Sequence, residues 1–344
     1  MPHGRHGRST SLRAVALAGS VSLALAACGG GDDADAGAAG EGGGQAGGSG
    51  PAEMVTVDVG VIPVVDVAVL YLGQEQGIFE DRGITLNFNT GQGGAALVPS
   101  VLNGENDFAF SNVISIMQAR EQGLPLQIIA PSAASTGEED FGINMLMAID
   151  PAVQDAGDLV GRNVGVNTLN NLSEVLLRES VEAAGGDPEQ VRLIELPFPD
   201  QVTALVSGEL AAFVCAEPFC STAAAQGARV IANPYHDLAP GEQVTASVYF
   251  STEQAIAEDP ELFTNVQEAI SESQTYAAEH PDEVRAQLPN FTKLDPKLIE
   301  SLRLPEFKPS LEPEELGPLA DASVKAGILT EEPVLDEVVW VADN

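Results

Sequence analysis

The chain has 344 residues, 15 of them Lys or Arg and 51 Asp or Glu, for a formal charge of −36. That length is about twice a common domain, so two lobes with a sizeable core are expected. A hydrophobic content of 44% excludes a disordered acidic chain, and the acidic excess excludes nucleic acid as a partner, because phosphate contacts need basic patches.

Residues 1–27 read as an export signal. Arg5, Arg8 and Arg13 form a basic start without an acid, and residues 14–27 are small and apolar, a run too short to span a bilayer as a mature helix. The run closes on Leu25-Ala26-Ala27-Cys28-Gly29, which resembles the lipobox of bacterial lipoproteins. That resemblance implies acylation of Cys28 and an extracytoplasmic protein anchored to the bacterial cell membrane; the alternative is an ordinary signal peptide with an incidental cysteine. Half of residues 29–50 are glycine, interspersed with Asp32, Asp33, Asp35 and Glu41. Residues 28–53 are therefore expected to be a flexible tether of roughly 25 Å.

From Met54 the pattern changes. Residues 55–62 alternate and are β-branched, which predicts a strand; 68–77 predicts a helix ended by glycine, and 84–88 a second strand. Gly91-Gln92-Gly93-Gly94 then opens a short helix to Asn103-Gly104, and 107–110 is a third strand closed by Ser111-Asn112. The order βαβαβ implies a parallel sheet. The same grammar returns about a hundred residues later: strand 163–167, helix 172–184, strand 190–196, helix 201–207, strand 210–215. Ala96-Leu97-Val98 with Gly104-Glu105 and Ala109-Phe110 is echoed by Ala204-Leu205-Val206 with Gly208-Glu209 and Ala212-Phe213. Two similar lobes are expected, the first over 54–146 and 248–344 and the second over 147–247. The chain would cross near 144–149 and again near 245–250, with the Pro-interrupted helical tail returning to the first lobe.

Ligands of open parallel sheets sit beyond the carboxyl ends of the strands. Here those ends are 63–66, 91–94 and 111–112 in the first lobe, and 168–171, 197–200 and 216–218 in the second. If the lobes face each other, six loops line one cleft.

Several stretches then carry a family resemblance. They are Val59-Gly60-Val61-Ile62-Pro63, Gly77-Ile78-Phe79 with Gly83-Ile84, Gly91-Gln92-Gly93-Gly94, and Gly104-Glu105-Asn106-Asp107 with Phe110-Ser111. The second half adds Leu159-Val160-Gly161-Arg162-Asn163-Val164 and Glu217-Pro218-Phe219. Together they resemble the nitrate/sulfonate/taurine and thiamine-precursor (pyrimidine) family of ABC-transporter substrate-binding proteins, over about residues 55–340. The resemblance implies an α/β, type II periplasmic-binding-protein fold. It also implies capture of a small solute between two βαβ lobes, and delivery to a membrane permease with its cytoplasmic ATPase. No cofactor is implied, and a monomer is expected.

Carried onto this sequence, the family's ligand loops nominate Gly93 and Gly94 at a helix start, Ser111 and Asn112, Thr168, Asn170 and Asn171, and Glu217. Asn171 has capping-box spacing to Glu174, so a cap and a ligand contact stand level. Glu217 is either a ligand contact or a structural carboxylate capping Phe219 onward. Asp66 reads as the cap of the Ala68 helix ahead of a ligand contact, and Tyr249 as packing ahead of contact. Phe198, Phe219 and Tyr249 would supply walls for a ring-shaped solute, whereas Ser, Thr and Asn at helix starts suit a small oxyanion. Cys215 and Cys220 straddle Glu217 and are open to three readings: a disulfide, two buried thiols, or one thiol at the ligand.

Two other readings compete with this one. The first is an enzyme on the same fold, of the thiamine-pyrimidine-synthesis type; the export signal and the lack of a cysteine-rich loop or well-placed histidine oppose it. The second is a lipoprotein that senses solute without transport. Gly91-Gln92-Gly93-Gly94-Ala95-Ala96 also fits a dinucleotide fingerprint, but it follows the second strand and no acidic residue closes the next.

Overall fold

The computed structural model of the chain describes residues 54–139 and 142–342. Cys28, the signal segment and the whole predicted tether lie outside the described residues.

The first βαβαβ unit is β1 (Val55–Val61), α1 (Ala68–Glu75), β2 (Ile84–Thr90), α2 (Gly94–Leu102) and β3 (Phe108–Asn112). Then come α3 (Val113–Glu121), β4 (Leu126–Ala134) and β5 (Asn144–Ala148). The second unit is β6 (Asn163–Val166), α4 (Leu172–Ala183), β7 (Arg192–Glu195), α5 (Phe198–Ser207) and β8 (Ala212–Ala216). It is followed by α6 (Phe219–Ala224), β9 (Arg229–Ala232), α7 (Pro234–Leu238) and β10 (Thr245–Thr252). The tail holds α8 (Glu253–Glu258), α9 (Pro260–Glu279), α10 (Pro281–Gln287), α11 (Pro296–Ser301), α12 (Gly317–Lys325) and α13 (Leu335–Val338).

Two five-stranded sheets result, with orders β2-β1-β3-β10-β4 and β7-β6-β8-β5-β9. Position for position they are the same sheet. In each, three parallel strands come from one βαβαβ unit, as β1 pairs parallel with β2 and β3, and β6 with β7 and β8. The purely parallel sheet expected from element order is corrected by the fourth strand, which is antiparallel: β10 between β3 and β4, β5 between β8 and β9. Each inserted strand has just arrived from the other lobe. A strand that enters a sheet from its far end has to run against the strands already there, so the exchange of one strand per lobe makes both sheets mixed.

The passages between the sheets therefore join β4 to β5 and β9 to β10. Asn144–Leu146, assigned on sequence to the first lobe, pair in the second sheet, and Thr245–Ser247 pair in the first. The duplication reaches the packing. Gly60 and Gly165 hold the middle of matching Val-Gly-Val triplets, opposite Ala109 and Phe213 on the neighbouring strands. A Cβ on Gly60 would lie 2.9 Å from Ala109, and one on Gly165 2.7 Å from Leu210. Both lobes thus need a bare backbone at the same point.

After β10 the tail packs on the first sheet. Gln267 Nε2 donates to the carbonyl of Ile129 (2.6 Å), and Gln274 Nε2 to those of Pro131 and Ser132 (both 2.9 Å), so α9 is held against β4 by its polar face as well as its apolar one. Among the described residues no helix is long and apolar enough to cross a membrane.

Candidate functional site

The carboxyl ends of all six parallel strands converge on one cavity of about 40 Å³. Ile62, Val64 and Asp66 follow β1, Gly94 follows β2, and Phe110 and Asn112 end β3. From the second lobe Asn167, Leu172 and Ser173 follow β6, Phe198 follows β7, and Ala216 ends β8. The two inserted strands run the other way, so their first residues reach the same place: Asn144 from β5, Ala246 and Ser247 from β10.

Asp66 is the ionisable group of this wall, and the structure revises its reading. A 3-10 turn over Val65–Val67 precedes α1, whose N-cap is Val67 without any side-chain cap. The Asp66 carboxyl instead turns to the cavity, 9% exposed, where Oδ2 accepts from Ser247 Oγ at 2.7 Å. Burial pushes its pKa up, against the hydrogen bond from Ser247.

Gly94 starts α2 with no side-chain cap ahead of it, so the first amides of that helix are not taken by a neighbouring side chain. It sits against Ser111, which is fully buried and whose hydroxyl lacks a hydrogen-bond partner. Gly93 is the point where the lobes approach: a Cβ there would be 3.7 Å from Thr168 Oγ1.

Asn112 and Asn171 are linked caps. Asn112 Oδ1 accepts from the Ser115 amide (3.0 Å) at the start of α3, and Asn171 Oδ1 accepts from the Leu172 amide (2.7 Å) at the start of α4. Asn171 Nδ2 then crosses to the first lobe and donates to Ser115 Oγ at 2.7 Å. The two helix starts are thereby joined through one serine. Glu174 completes the capping turn one residue further out than the usual box, accepting from the Asn170 amide at 2.8 Å. A second cross-lobe bond runs from the Val65 amide to the Glu217 carbonyl (3.0 Å).

Other nominated residues are placed elsewhere. Asn170 is exposed in the left-handed region, at φ 51°, and serves the turn before α4. Glu217 precedes a cis peptide to Pro218, and its carboxylate accepts from the Ser221 amide (3.1 Å) and hydroxyl (2.9 Å), tying down α6. Burial raises its pKa. Tyr249 is fully buried, edge-on to Phe108 and Phe110. Cys215 and Cys220 form a disulfide, with Cα atoms 5.2 Å apart, that joins the end of β8 to α6.

Four polar wall residues were not nominated on sequence. Asn144 bridges Tyr235 Oη (2.8 Å) and the Cys215 carbonyl (3.1 Å), Asn167 accepts from Ser173 Oγ (2.6 Å), and Ser247 holds Asp66. The available signal was a polar residue opening an otherwise apolar run, as Asn144 does before Met145-Leu146-Met147-Ala148.

A family model described as NMT1/THI5 like matches residues 64–284. A formylaminopyrimidine-binding protein of Halalkalibacterium halodurans is 29% identical over 163 residues, 47% of this chain and 47% of that protein. The chain thus aligns with about half the length of this curated relative. Among solved structures, the periplasmic aliphatic sulphonate binding protein of Escherichia coli superposes with a TM-score of 0.68 at 16% identity, over 84% of this chain and 93% of that one. The periplasmic nitrate-binding protein of Synechocystis gives 0.67 at 14% identity, over 83% and 86%. The duplicated sheets with exchanged strands, and a family model spanning more than half of the chain, make this protein a member of the NMT1/THI5-like family on a periplasmic-binding-protein fold.

Proposed function

We propose that the protein is the extracytoplasmic solute-binding component of an ABC importer, which holds a small solute between its lobes and hands it to a permease driven by a cytoplasmic ATPase. The observation that supports this reading most is the convergence of all six strand ends, three from each lobe, on one cavity. The relatives' own names, for a formylaminopyrimidine, a sulphonate and nitrate, agree with a binding role rather than catalysis. In this reading 54–134 and 245–342 form one lobe, 144–232 the other, and the protein acts as a monomer.

Solute entry is expected to need the lobes to part, turning about the passages that join β4 to β5 and β9 to β10. A thermal-shift screen over sulfonates, nitrate, pyrimidine precursors and riboflavin identifies a binder. X-ray scattering at saturation with that compound is expected to show a smaller radius of gyration than the free protein, and superimposable profiles would count against closure.

In this reading the lipobox-like segment, acylated at Cys28, anchors the protein at the outer face of the membrane. Cys28→Ala is expected to move the protein from the membrane fraction to the soluble extracytoplasmic fraction; unchanged fractionation would remove the lipid anchor from this account.

A further inference from the structure

We infer that the Cys215–Cys220 disulfide is a redox control on lobe closure. Intact, it fixes the loop that the second lobe presents to the cavity and to the first lobe; opened by a dithiol, it releases that loop, and solute is held less tightly. The inference rests on the solute-binding reading above and adds a regulation to the same site.

The bond spans Ala216-Glu217-Pro218-Phe219, a segment that serves the site at several points. Ala216 lines the cavity. The Glu217 carbonyl accepts from the Val65 amide of the other lobe at 3.0 Å. Phe219 stacks on Phe198, a wall residue, with ring centroids 5.5 Å apart. The Cys215 carbonyl accepts from Asn144 Nδ2, on another wall residue, at 3.1 Å. Whatever shifts this loop therefore disturbs a wall and a cross-lobe contact together.

The two ends of the bridge are not equally secure. Cys215 lies on β8, which pairs with β6 on one side and β5 on the other, so the sheet fixes it. Cys220 lies on α6, a helix of 6 residues, too short to hold its form unaided. The side-chain bonds that tie α6 down run to the Glu217 carboxylate and the Pro218 carbonyl, and both belong to the loop itself. The disulfide is the covalent tie between α6 and a strand. Both sulfurs sit in the second lobe's smaller core with Met145, Met147 and Ala223, where free thiols pack as small apolar groups. Opening the bond therefore loosens the loop without dismantling the lobe. In the reaction, a thiolate of the dithiol attacks Sγ of Cys220, the cysteine with the greater exposure (6% against 0%), and Cys215 leaves as thiolate. The second thiol of the reductant then displaces Cys220 from the mixed disulfide. Two electrons pass to the protein, the reductant departs as its own disulfide, and the two protons it loses end on Cys215 and Cys220.

Hydrogen exchange and calorimetry test this on the oxidised protein, on the protein reduced with dithiothreitol, and on the double variant Cys215→Ala, Cys220→Ala, with thiol titration to verify that reduction is complete. The Ser221 and Thr222 amides are expected to exchange at least about fivefold faster in the reduced protein and in the variant, while the amides of β6 keep their rates. Taurine, nitrate, riboflavin and a formylaminopyrimidine serve as titrants. Any of them that binds the oxidised protein should bind the reduced one about 3- to 40-fold more weakly, the upper end being the whole entropic effect of closing so short a ring. Reoxidation should restore the affinity. Unchanged exchange in α6 overturns the inference, and so does faster exchange with unchanged affinity. A disulfide that dithiothreitol opens only along with global unfolding overturns it as well, and if the double variant fails to fold, the reduced wild type carries the test. If none of the four titrants binds, the Val65 amide of the free protein decides: faster exchange on reduction supports the control, and equal rates overturn it. The importer reading is tested apart from this, because a solute that binds and compacts the protein regardless of redox state leaves it standing.

Discussion

Gly94→Ala is expected to lower the melting temperature by about 3–10 °C and to weaken solute binding beyond what the lost stability explains. The added Cβ would stand 2.7 Å from Ser111 Oγ and 2.8 Å from Ser111 Cα. The hydroxyl could rotate, but the Cα belongs to β3 inside the first sheet and cannot move without the ladder. Relief has to come from α2, whose start would lift from β3. Overpacking of this kind costs about 1–3 kcal/mol, and in a chain of this size each kcal/mol lowers the melting point by about 2–4 °C. Lifting α2 also withdraws its free amides from the cavity, so affinity should suffer in addition. Gly93→Ala is the control. Its Cβ would meet only Thr168 Oγ1, at an ordinary 3.7 Å, on an extended backbone that any residue adopts. It should melt close to the wild type, within about 1 kcal/mol. Equal melting temperatures for the two variants would show that the close approach of α2 to β3 does not constrain the site.

That contrast also marks what was legible in the sequence. The β-branched alternation around Val57 and the matching run around Val164 identify the parallel strands because each lies against apolar neighbours on its buried face. The loops that follow them locate the cavity. What escaped was whatever depends on partners distant in the chain. β4 is hidden in Leu126-Gln127-Ile128-Ile129-Ala130-Pro131-Ser132-Ala133-Ala134, where Pro131 and small residues dilute the strand signal; β10 pairs along most of it and α9 covers its carbonyls. The exchange of β5 and β10 has no local period, since it is a choice of sheet rather than of conformation. The cap expected at Asp66 fails for a related reason. An acid just ahead of a helix is a good statistical cap, but the Val65–Val67 turn shifts the cap position by one residue and swings the carboxyl toward Ser247, 181 residues away in the chain. Spacing revealed the cap of α4 at Asn171, though not that its spare amide would reach the other lobe.

The reach of Asn171 across the cleft leads to the second large effect. Asn171→Ala is expected to cost about 1 kcal/mol from the lost cap, and about 1–3 kcal/mol more where closure leaves the Ser115 hydroxyl without a partner. Both side chains are nearly inaccessible, Ser115 at 5% and Asn171 at 2% exposure, so water cannot replace the bond while the lobes are together. The two contributions separate by state. The cap of α4 lies within the second lobe and is present whether the lobes are open or closed, so its loss lowers the melting point of the free protein. The bond to Ser115 exists only when the lobes meet, so its loss appears as weaker solute binding. Ser115→Ala should therefore leave the cap of α4 intact and still reduce affinity by about 3- to 10-fold, the worth of one hydrogen bond. A double-mutant cycle on affinity is expected to give a coupling of about 0.5–1.5 kcal/mol between the positions, while the same cycle on the melting of the free, open protein gives little. Strict additivity on affinity would mean that closure does not use this bond. Coupling in the free protein equal to that in the bound one would mean that the lobes are already joined before the solute arrives, with Ser115 acting as a fixed strut between the two helix starts.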